Sequence, residues 1–438
     1  MKALAEYLLD RGWMISGSDA DPEPQLRSVI EKRGARVTVG HVAQSIPAGT
    51  ELVIFSPAIT AQNVERRQAE EQGIPCLSSI QVLARLTANS TAIAVSGTHG
   101  KSSTTAILGT ILEHAGRSPS VICGAESPDR HRNGQAGAGP LLVVEACEFR
   151  RHFLELRPQV ACVLGIESDH VDCYPTLDSA IDAYTDFLKR VPPTGTIIYR
   201  HDCEATQQAV RQISDSRKIS FSVDSESADW QGIRLTPTET GTRFQIRSGK
   251  DLSREIHLSA PGRHNVLNAV AAAACAGTQG MSLAEIADGL EAYSGLKRRL
   301  EFKRNWHNSL IFDDYAHHPT EIIAALSTLR QQFPQRRLIV VFQSHQNSRT
   351  AAFLTEFAEA LNLADKVYIL PVFAAREIPG NGHLEIAKNL QRKLTVPSGW
   401  IPTLDQVWGT LQTDAGDSAV ILTMGAGNLT RVHHDSID

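Results

Sequence analysis

Apolar residues follow two rhythms along this chain, and the switch between them outlines its architecture. From Ala3 to about Leu86, helical spacing (AEYLLDRG) alternates with short apolar runs that end in turn residues (WMISGSD, RVTVGH, ELVIFSPAI). That alternation predicts βα units and a parallel sheet. At Thr91 a new apolar run, TAIAVSG, leads into GTHGKS and then an unbroken helical pattern from Ser102 to His114. The same unit continues through PLLVVE (140–145), QVACVLG (159–165), a helix near Asp178–Arg190 and GTIIY (195–199). The alternating WQGIRL, TRFQIRS and REIHLS read as antiparallel strands added to it. PGRHNVLNAVAAAACAG (261–277) predicts an Ala-rich helix that closes the unit. A third series follows YSGLKRRLEF, with strands SLIFDDY, RRLIVVF, KVYIL and SAVILTMG and helices PTEIIAALSTLR, AAFLTEFAEAL and GHLEIAKNLQRK. Its βαβ order implies right-handed crossovers and a mostly parallel sheet.

The fold class is therefore α/β, with three domains expected at 1–88, 89–297 and 298–438, in keeping with a length of 438 residues. Hydrophobic residues at 42% and charged residues at 21% exclude a disordered or fibrous chain. Lys plus Arg number 43 against 48 Asp plus Glu, so the net charge of -5 argues against a nucleic-acid partner. The apolar run Ala269–Ala276 is far shorter than the roughly 20 residues that span a bilayer. No membrane association and no secretion signal are expected. Seven cysteines without CxxC spacing fit free thiols in a reducing cytoplasm and suggest no zinc site.

SGTHGKSST, Ser96–Thr104, is the strongest chemical signal, because it lies between a strand and a helix. A loop there points backbone N–H groups and a helix N-terminus at phosphate oxygens. Lys101 would add charge at the β- and γ-phosphates and Ser102 a hydroxyl for Mg²⁺. The strict phosphate-loop pattern asks for glycine at position 95, where Val95 stands, so GTHGKS is a variant form.

GTHGKSST resembles the phosphate loop of the Mur ligases, ATP-dependent amide-forming enzymes of peptidoglycan precursor synthesis. Further motifs of that family occur in order: GSD at Gly17–Asp19, EAxE at Glu145–Glu148, ExDHxDxY at Glu167–Tyr174, PGRHNxLNA at Pro261–Ala269 and GxxRR at Gly295–Arg299. DDYxHHPTE at Asp313–Glu321, FQxHxxSRT at Phe342–Thr350 and GAGN at Gly425–Asn428 complete the series. The resemblance spans essentially the whole chain and implies three domains: a Rossmann-like N-terminal domain, a central P-loop ATPase domain and a Rossmann-like C-terminal domain.

By this resemblance Lys101, Glu145 and His170 are catalytic, and Ser102, Glu145 and His170 hold Mg²⁺. Gly97, Thr98, His99, Gly100, Lys101, Ser102 and Ser103 would cradle the ATP phosphates, with Asn265 and Asn268 on the adenine and ribose side. Arg299 and Asp314 would reach ATP when the third domain closes. Ser18 and Asp19 would take the uridine side of a UDP-sugar, and His317, His345 and Arg349 would orient the incoming amine and departing phosphate. Plainer readings stand beside these. An Asn at a helix start is ordinarily a cap, KRR is equally a solvated basic turn, and the two histidines before Pro319 or the GSD run are equally loop residues.

Four departures from the family pattern bear on function. The family's first strand and Gly-rich loop, of the form GIGGxGM, would lie upstream of Met1, so either Met1 is an internal start or the chain is a shortened form with weakened UDP-sugar binding and an exposed edge or gap in its first sheet. Cys147 stands where Asp is common, Gly165 where Asn is common and Gln346 where Arg is common. Thr185 falls where some members carry a carbamylated lysine, which favours the alanine-adding branch. The expected reaction is ATP-dependent joining of L-alanine to the lactyl carboxylate of UDP-N-acetylmuramate through an acyl phosphate. The alternatives are a tripeptide-adding ligase, a non-catalytic nucleotide- or UDP-sugar-binding regulator, and a stand-alone P-loop ATPase or kinase.

Overall fold

The computed structural model describes residues 1–375, 377, 382–414 and 418–433, so the last five positions of the expected third domain lie outside the described residues. A mainly parallel sheet of 11 strands dominates the middle of the chain. Thr91–Ser96 is central, flanked by Leu141–Glu145 on one side and Val160–Val163 on the other, all parallel. Beyond Val160–Val163 come Thr196–Arg200 and Arg217–Ser222, again parallel. Trp230–Pro237 joins Arg217–Ser222 in parallel and then turns back against Thr242–Ser248 in antiparallel pairing. The expected antiparallel extension is thus present, hinged on a parallel strand that the chain pattern did not disclose.

Two apolar clusters cover the faces of this sheet. On one face the helix Lys101–His114 packs against the Ala-rich helix Arg263–Thr278. In the latter every residue from Ala269 to Ala276 is fully buried. Glycine lets the helix Lys101–His114 pack tightly on its other neighbours: a Cβ on Gly289 of the helix Leu283–Glu291 would lie 2.6 Å from the Ile111 backbone, and one on Gly109 2.9 Å from Val121 in the strand Ser120–Ile122. On the other face Phe153 stacks on Phe187 (4.8 Å) and meets Tyr184 edge-on (5.1 Å), both from the helix Leu177–Leu188.

The C-terminal sheet has the order Glu301–Trp306, Ser309–Asp314, Ala419–Met424, Arg337–Phe342, Lys366–Ile369, Ser398–Trp400. All pairs are parallel except the first, which is antiparallel. The expected helix through AAFLTEFAEAL is two helices, Asn347–Ala352 and Leu354–Leu361, that meet at Phe353.

The N-terminal region departs most from expectation. Its strands pair in parallel as foreseen, but as two separate two-stranded ladders, Ser16–Asp19 with Arg36–Val39 and Val53–Phe55 with Cys76–Ser78. Pairs of three or four residues bury little on their own. The first helix, Lys2–Asp10, belongs to neither ladder: Ala3, Leu4 and Tyr7 are buried in the apolar cluster of the middle domain. Buried Glu6 accepts hydrogen bonds from the backbone N–H groups of Asn133 (3.0 Å) and Gly134 (2.9 Å), and Lys2 pairs with Glu126. Its apolar face announces a helix but not its partner, and the buried carboxylate on two backbone amides adds a polar anchor to the apolar one.

Candidate active site

Three strands of the middle sheet deliver their carboxyl ends to one place. Thr91–Ser96 runs into the phosphate loop, Leu141–Glu145 ends on Glu145, and Val160–Val163 leads through Gly165 to Asp169 and His170. Ligands of open α/β sheets bind at this edge. The loop needs glycine twice for different reasons. Gly100 has φ +80°, and a Cβ there would sit 2.3 Å from Asn268 Oδ1; at Gly97, with φ +138°, it would sit 2.9 Å from Leu164 Cβ. Thr98 ties the loop to the neighbouring strand end, its N–H donating to Gly165 O (2.9 Å) and its Oγ1 accepting from Glu167 N–H (2.9 Å).

Lys101 donates to Gly97 O (2.6 Å), Thr98 O (3.0 Å) and Glu148 Oε1 (2.9 Å). Burial opposes its charge, but the surrounding carboxylates, Glu148 first, raise its pKa well above the ordinary value. Glu148 is almost fully buried, and its Oε1 also lies 3.6 Å from His170 Nε2. Burial pushes its carboxyl up, yet Lys101 and His170 more than reverse this and hold it below the usual range. Its Oε2 is buried without a hydrogen-bond partner. Glu148 stood in the EAxE motif but not among the expected catalytic residues. The structure makes it the link between Lys101 and His170.

Ser102 Oγ donates to Glu145 Oε2 (2.8 Å), which also accepts from Gly124 N–H (2.7 Å). The residues fit Mg²⁺: a hydroxyl, a carboxylate beside it and an unpartnered buried carboxylate oxygen offer the hard donors this ion takes. Ser102 and Glu145 meet as such a site requires, whereas His170 faces Glu148 and Asp169. His170 has a left-handed backbone (φ +50°), as do Arg150 and Arg151 (φ +52° and +58°) just after Glu148. Such conformations in non-glycine residues concentrate at functional sites.

The C-terminal domain closes over this edge. Arg349, only 4% exposed, reaches Asp169 Oδ1 through Nε (3.0 Å) and Nη2 (2.9 Å). Its Nη2 also lies 3.4 Å from His170 Nδ1 and its Nη1 3.4 Å from His345 Nδ1. His317 packs edge-on to His345 at 5.9 Å, and burial lowers its pKa to about 4, so the ring is neutral. His318 caps the helix Pro319–Gln332. His317, His345 and Arg349, expected at the cleft, are thus brought to His170.

Beside them opens a cleft of about 860 Å³ between the two domains. Of the expected ATP residues, Thr98, His99, Gly100, Ser103, Asn265, Asn268, Arg299 and Asp314 line it. Asn265 does not cap its helix, whose N-cap is Gly262 without a side-chain cap bond. Its Nδ2 donates to Pro261 O (2.8 Å), and both it and Asn268 are buried toward the phosphate loop. The KRR run is not a solvated turn: Lys297 pairs with Glu126, Arg298 with Asp313 (3.3 Å), and Arg299 faces the cleft over the Tyr315 ring at 5.3 Å. Glu167, Arg200, Thr320 and Glu321 also line the cleft and were not singled out from sequence, although Glu167, Thr320 and Glu321 sit inside quoted motifs.

Asp314 accepts from the N–H groups of Leu300 and Ala316, both at 2.7 Å, yet burial pushes its pKa from 3.8 to about 6. A carboxyl raised in this way favours the folded state at low pH, and that contribution is lost as pH rises from 3.8 to about 6. Nucleotide affinity has the opposite dependence if the ionised form receives the ribose: it falls as pH drops below about 6. Calorimetric ATP titrations across that range should show the loss, and Asp314→Asn should abolish the inflection.

Ser18 and Asp19 lie apart from these groups. Ser18 Oγ bonds His41 Nδ1 (2.9 Å) and Glu65, and Asp19 Oδ1 accepts from Asp21 N–H (3.0 Å). Among the described residues no hydrogen bond or ion pair joins either one to the cleft.

Three family models match successive parts of the chain: "Mur ligase family, catalytic domain" over residues 1–91, "Mur ligase middle domain" over 95–276 and "Mur ligase, glutamate ligase domain" over 298–427. A UDP-N-acetylmuramate--L-alanine ligase of Chlorobaculum parvum is 35% identical over 99% of this chain and 92% of the relative. One from Mycolicibacterium gilvum is 37% identical over 98% and 92%. The crystal structure of a UDP-N-acetylmuramate-alanine ligase from Thermotoga maritima matches with a TM-score of 0.83 at 25% identity, covering 99% of this chain and 95% of that one. A murein peptide ligase from Psychrobacter arcticus shares the fold, with a TM-score of 0.74 at 23% identity over 100% and 97% of the two chains. With its phosphate loop, cleft and closing domain matched from end to end, this chain belongs to the Mur ligase family.

Proposed function

We propose that this protein joins L-alanine to the lactyl carboxylate of UDP-N-acetylmuramate at the expense of ATP, as a cytoplasmic step of peptidoglycan precursor synthesis. The observation that carries this reading is the meeting of two sets of groups at one strand edge. The phosphate loop, Glu145 and His170 come from the middle domain, and Arg349, His345 and His317 come from the C-terminal domain. A phosphoryl donor on the first set faces an amine held by the second. Relatives named for the alanine reaction, aligned over 98–99% of this chain, support alanine over a tripeptide as the amine.

In this mechanism a lactyl oxygen attacks the γ-phosphorus and ADP leaves. The alanine nitrogen then attacks the acyl carbon, and phosphate departs with the former carboxylate oxygen. No nucleophilic side chain is needed, so catalysis is positioning and charge stabilisation. Lys101 leaves Glu148 for the phosphates. Asn265, Asn268, Arg299 and Asp314 fix the nucleoside, while Arg349 and His345 hold the alanine carboxylate. Ser18 and Asp19 take the uridine side. Bound at Ser102, Glu145 and His170, Mg²⁺ would neutralise charge on the transferring phosphoryl group. Closure of the C-terminal domain keeps water from the acyl phosphate.

The test combines amine choice with isotope transfer. With ATP, Mg²⁺ and UDP-N-acetylmuramate labelled with ¹⁸O in the lactyl carboxylate, L-alanine should trigger phosphate release and one labelled oxygen should appear in that phosphate. Release triggered by the tripeptide but not by alanine would move the assignment to the tripeptide-adding reaction. Unlabelled phosphate would remove the acyl phosphate.

A further inference from the structure

At the edge of the nucleotide cleft, one cluster that shares His99 with the phosphate loop has the composition of a transition-metal site. His99, Glu167 and His318 each offer a ligand atom, and these atoms lie within 4.8 Å of one another. His99 Nε2 is 3.4 Å from Glu167 Oε2, and the His99 and His318 rings lie 4.9 Å apart at a tilt of 44°. We propose that these three side chains bind a zinc-class divalent cation that fastens the C-terminal domain to the middle domain across the nucleotide cleft.

Four observations converge on this assignment. The donor set of two imidazoles and one carboxylate suits Zn²⁺ or Co²⁺ and is poorly matched to Mg²⁺, which prefers oxygen. It therefore differs in kind from the hydroxyl and carboxylate set at Ser102 and Glu145. Second, His99 already has the outer support that metal-bound histidines use: its Nδ1 lies 3.0 Å from Glu321 Oε1, which turns Nε2 toward Glu167. Third, His99 Nε2 is buried and faces Glu167 Oε2 at 3.4 Å, so a cation between the two atoms would take the place of the ring proton.

The fourth is position. His99 and Glu167 come from the middle domain, whereas His318 opens the first helix of the C-terminal domain. The cross-links nearest this cluster are Thr320 Oγ1 to Glu167 (2.8 Å), His318 Nε2 to Ser168 O (3.2 Å) and His99 Nδ1 to Glu321 (3.0 Å), beside the Arg349–Asp169 pair. Coordination by His318 displaces either its contact with Ser168 O or its cap on Thr320 N–H (3.3 Å). Three ligands leave a fourth position for water. His99 and Glu167 also line the cleft, so the bound cation would hold it shut over whatever nucleotide it contains. This inference concerns metal binding and domain closure, and it stands whether or not alanine is the substrate.

Metal-free full-length protein, without nucleotide, is titrated with Co²⁺ and, in parallel, with Zn²⁺ by calorimetry. One equivalent is expected to bind, with the visible absorption of four-coordinate Co²⁺, and excess Mg²⁺ should not displace it. His318→Asn keeps an oxygen to cap the helix but loses reach to the cation, so it should weaken binding at least about tenfold. Glu167→Gln should do likewise, and bound Zn²⁺ should slow ADP release from wild type but not from either variant. Failure of wild type to bind one equivalent would overturn the site. So would unchanged affinity in both variants, or loss of binding in Cys147→Ser instead.

Discussion

Replacing Lys101 with Met should lower the rate of phosphate release by about a thousandfold, because one preorganised donor to a charge-developing phosphoryl group is worth that much. It should also destabilise the protein in a particular way. Lys101 is the main counter-charge of Glu148, whose side chain is 4% exposed and whose second oxygen is already unpartnered. Removing one member of a buried pair strands the other charge, at a cost of about 3–5 kcal/mol. The double variant Lys101→Met/Glu148→Gln should recover most of that stability while remaining inactive. Denaturant unfolding with single-turnover kinetics on the cycle separates the two effects. A single variant as stable as wild type would show that Glu148 does not depend on Lys101.

Arg349→Ala is the second large effect. Its guanidinium places two nitrogens on Asp169 Oδ1, and Asp169 is held well below the ordinary carboxylate range, burial being outweighed by His170 and Arg349. Without Arg349 a buried carboxylate at the domain seam keeps only His170, and the closed arrangement should lose about 2–5 kcal/mol. The expected signature is a steep rise in KM for alanine with a smaller change in ATP affinity, together with a more open solution shape by small-angle scattering. Arg349→Lys should not rescue it, since a single ammonium cannot reproduce the two-nitrogen approach. Equal losses for alanine and ATP would assign Arg349 to closure alone.

The legible part of this molecule was whatever short segments encode by themselves. The run TAIAVSG followed by GTHGKSST announces a strand, a phosphate loop and a helix, because alternation, glycine and helical spacing are local properties. The Ala-rich helix was legible for the same reason, and with it the placement of Asn265 and Asn268 on one face. By contrast Arg217–Ser222 and Glu301–Trp306 went unread: in the first, Ser220 and Ser222 are buried where apolar residues would mark a strand, and in the second, four of six residues are polar while Phe302 is exposed. The division of the N-terminal strands into two ladders was equally hidden: pairing partners are a property of the assembled chain.

What the sequence determined by itself was the three βα series, the phosphate loop and the reaction class that its ordered motifs imply. What only the tertiary structure decided was which charges meet. Glu148 lies 47 residues from Lys101 and Asp169 lies 180 from Arg349, and nothing in local spacing pairs them. They meet because parallel strands bring their carboxyl ends to one edge and a second domain closes over it. There, burial turns ordinary carboxylates and imidazoles into a site: Asp314 is pushed up to about 6, His317 is kept neutral, and His99 is raised to about 9 because hydrogen bonds to Glu167 and Glu321 outweigh its burial. Such shifts depend on distance and desolvation, quantities that exist only once the chain has folded.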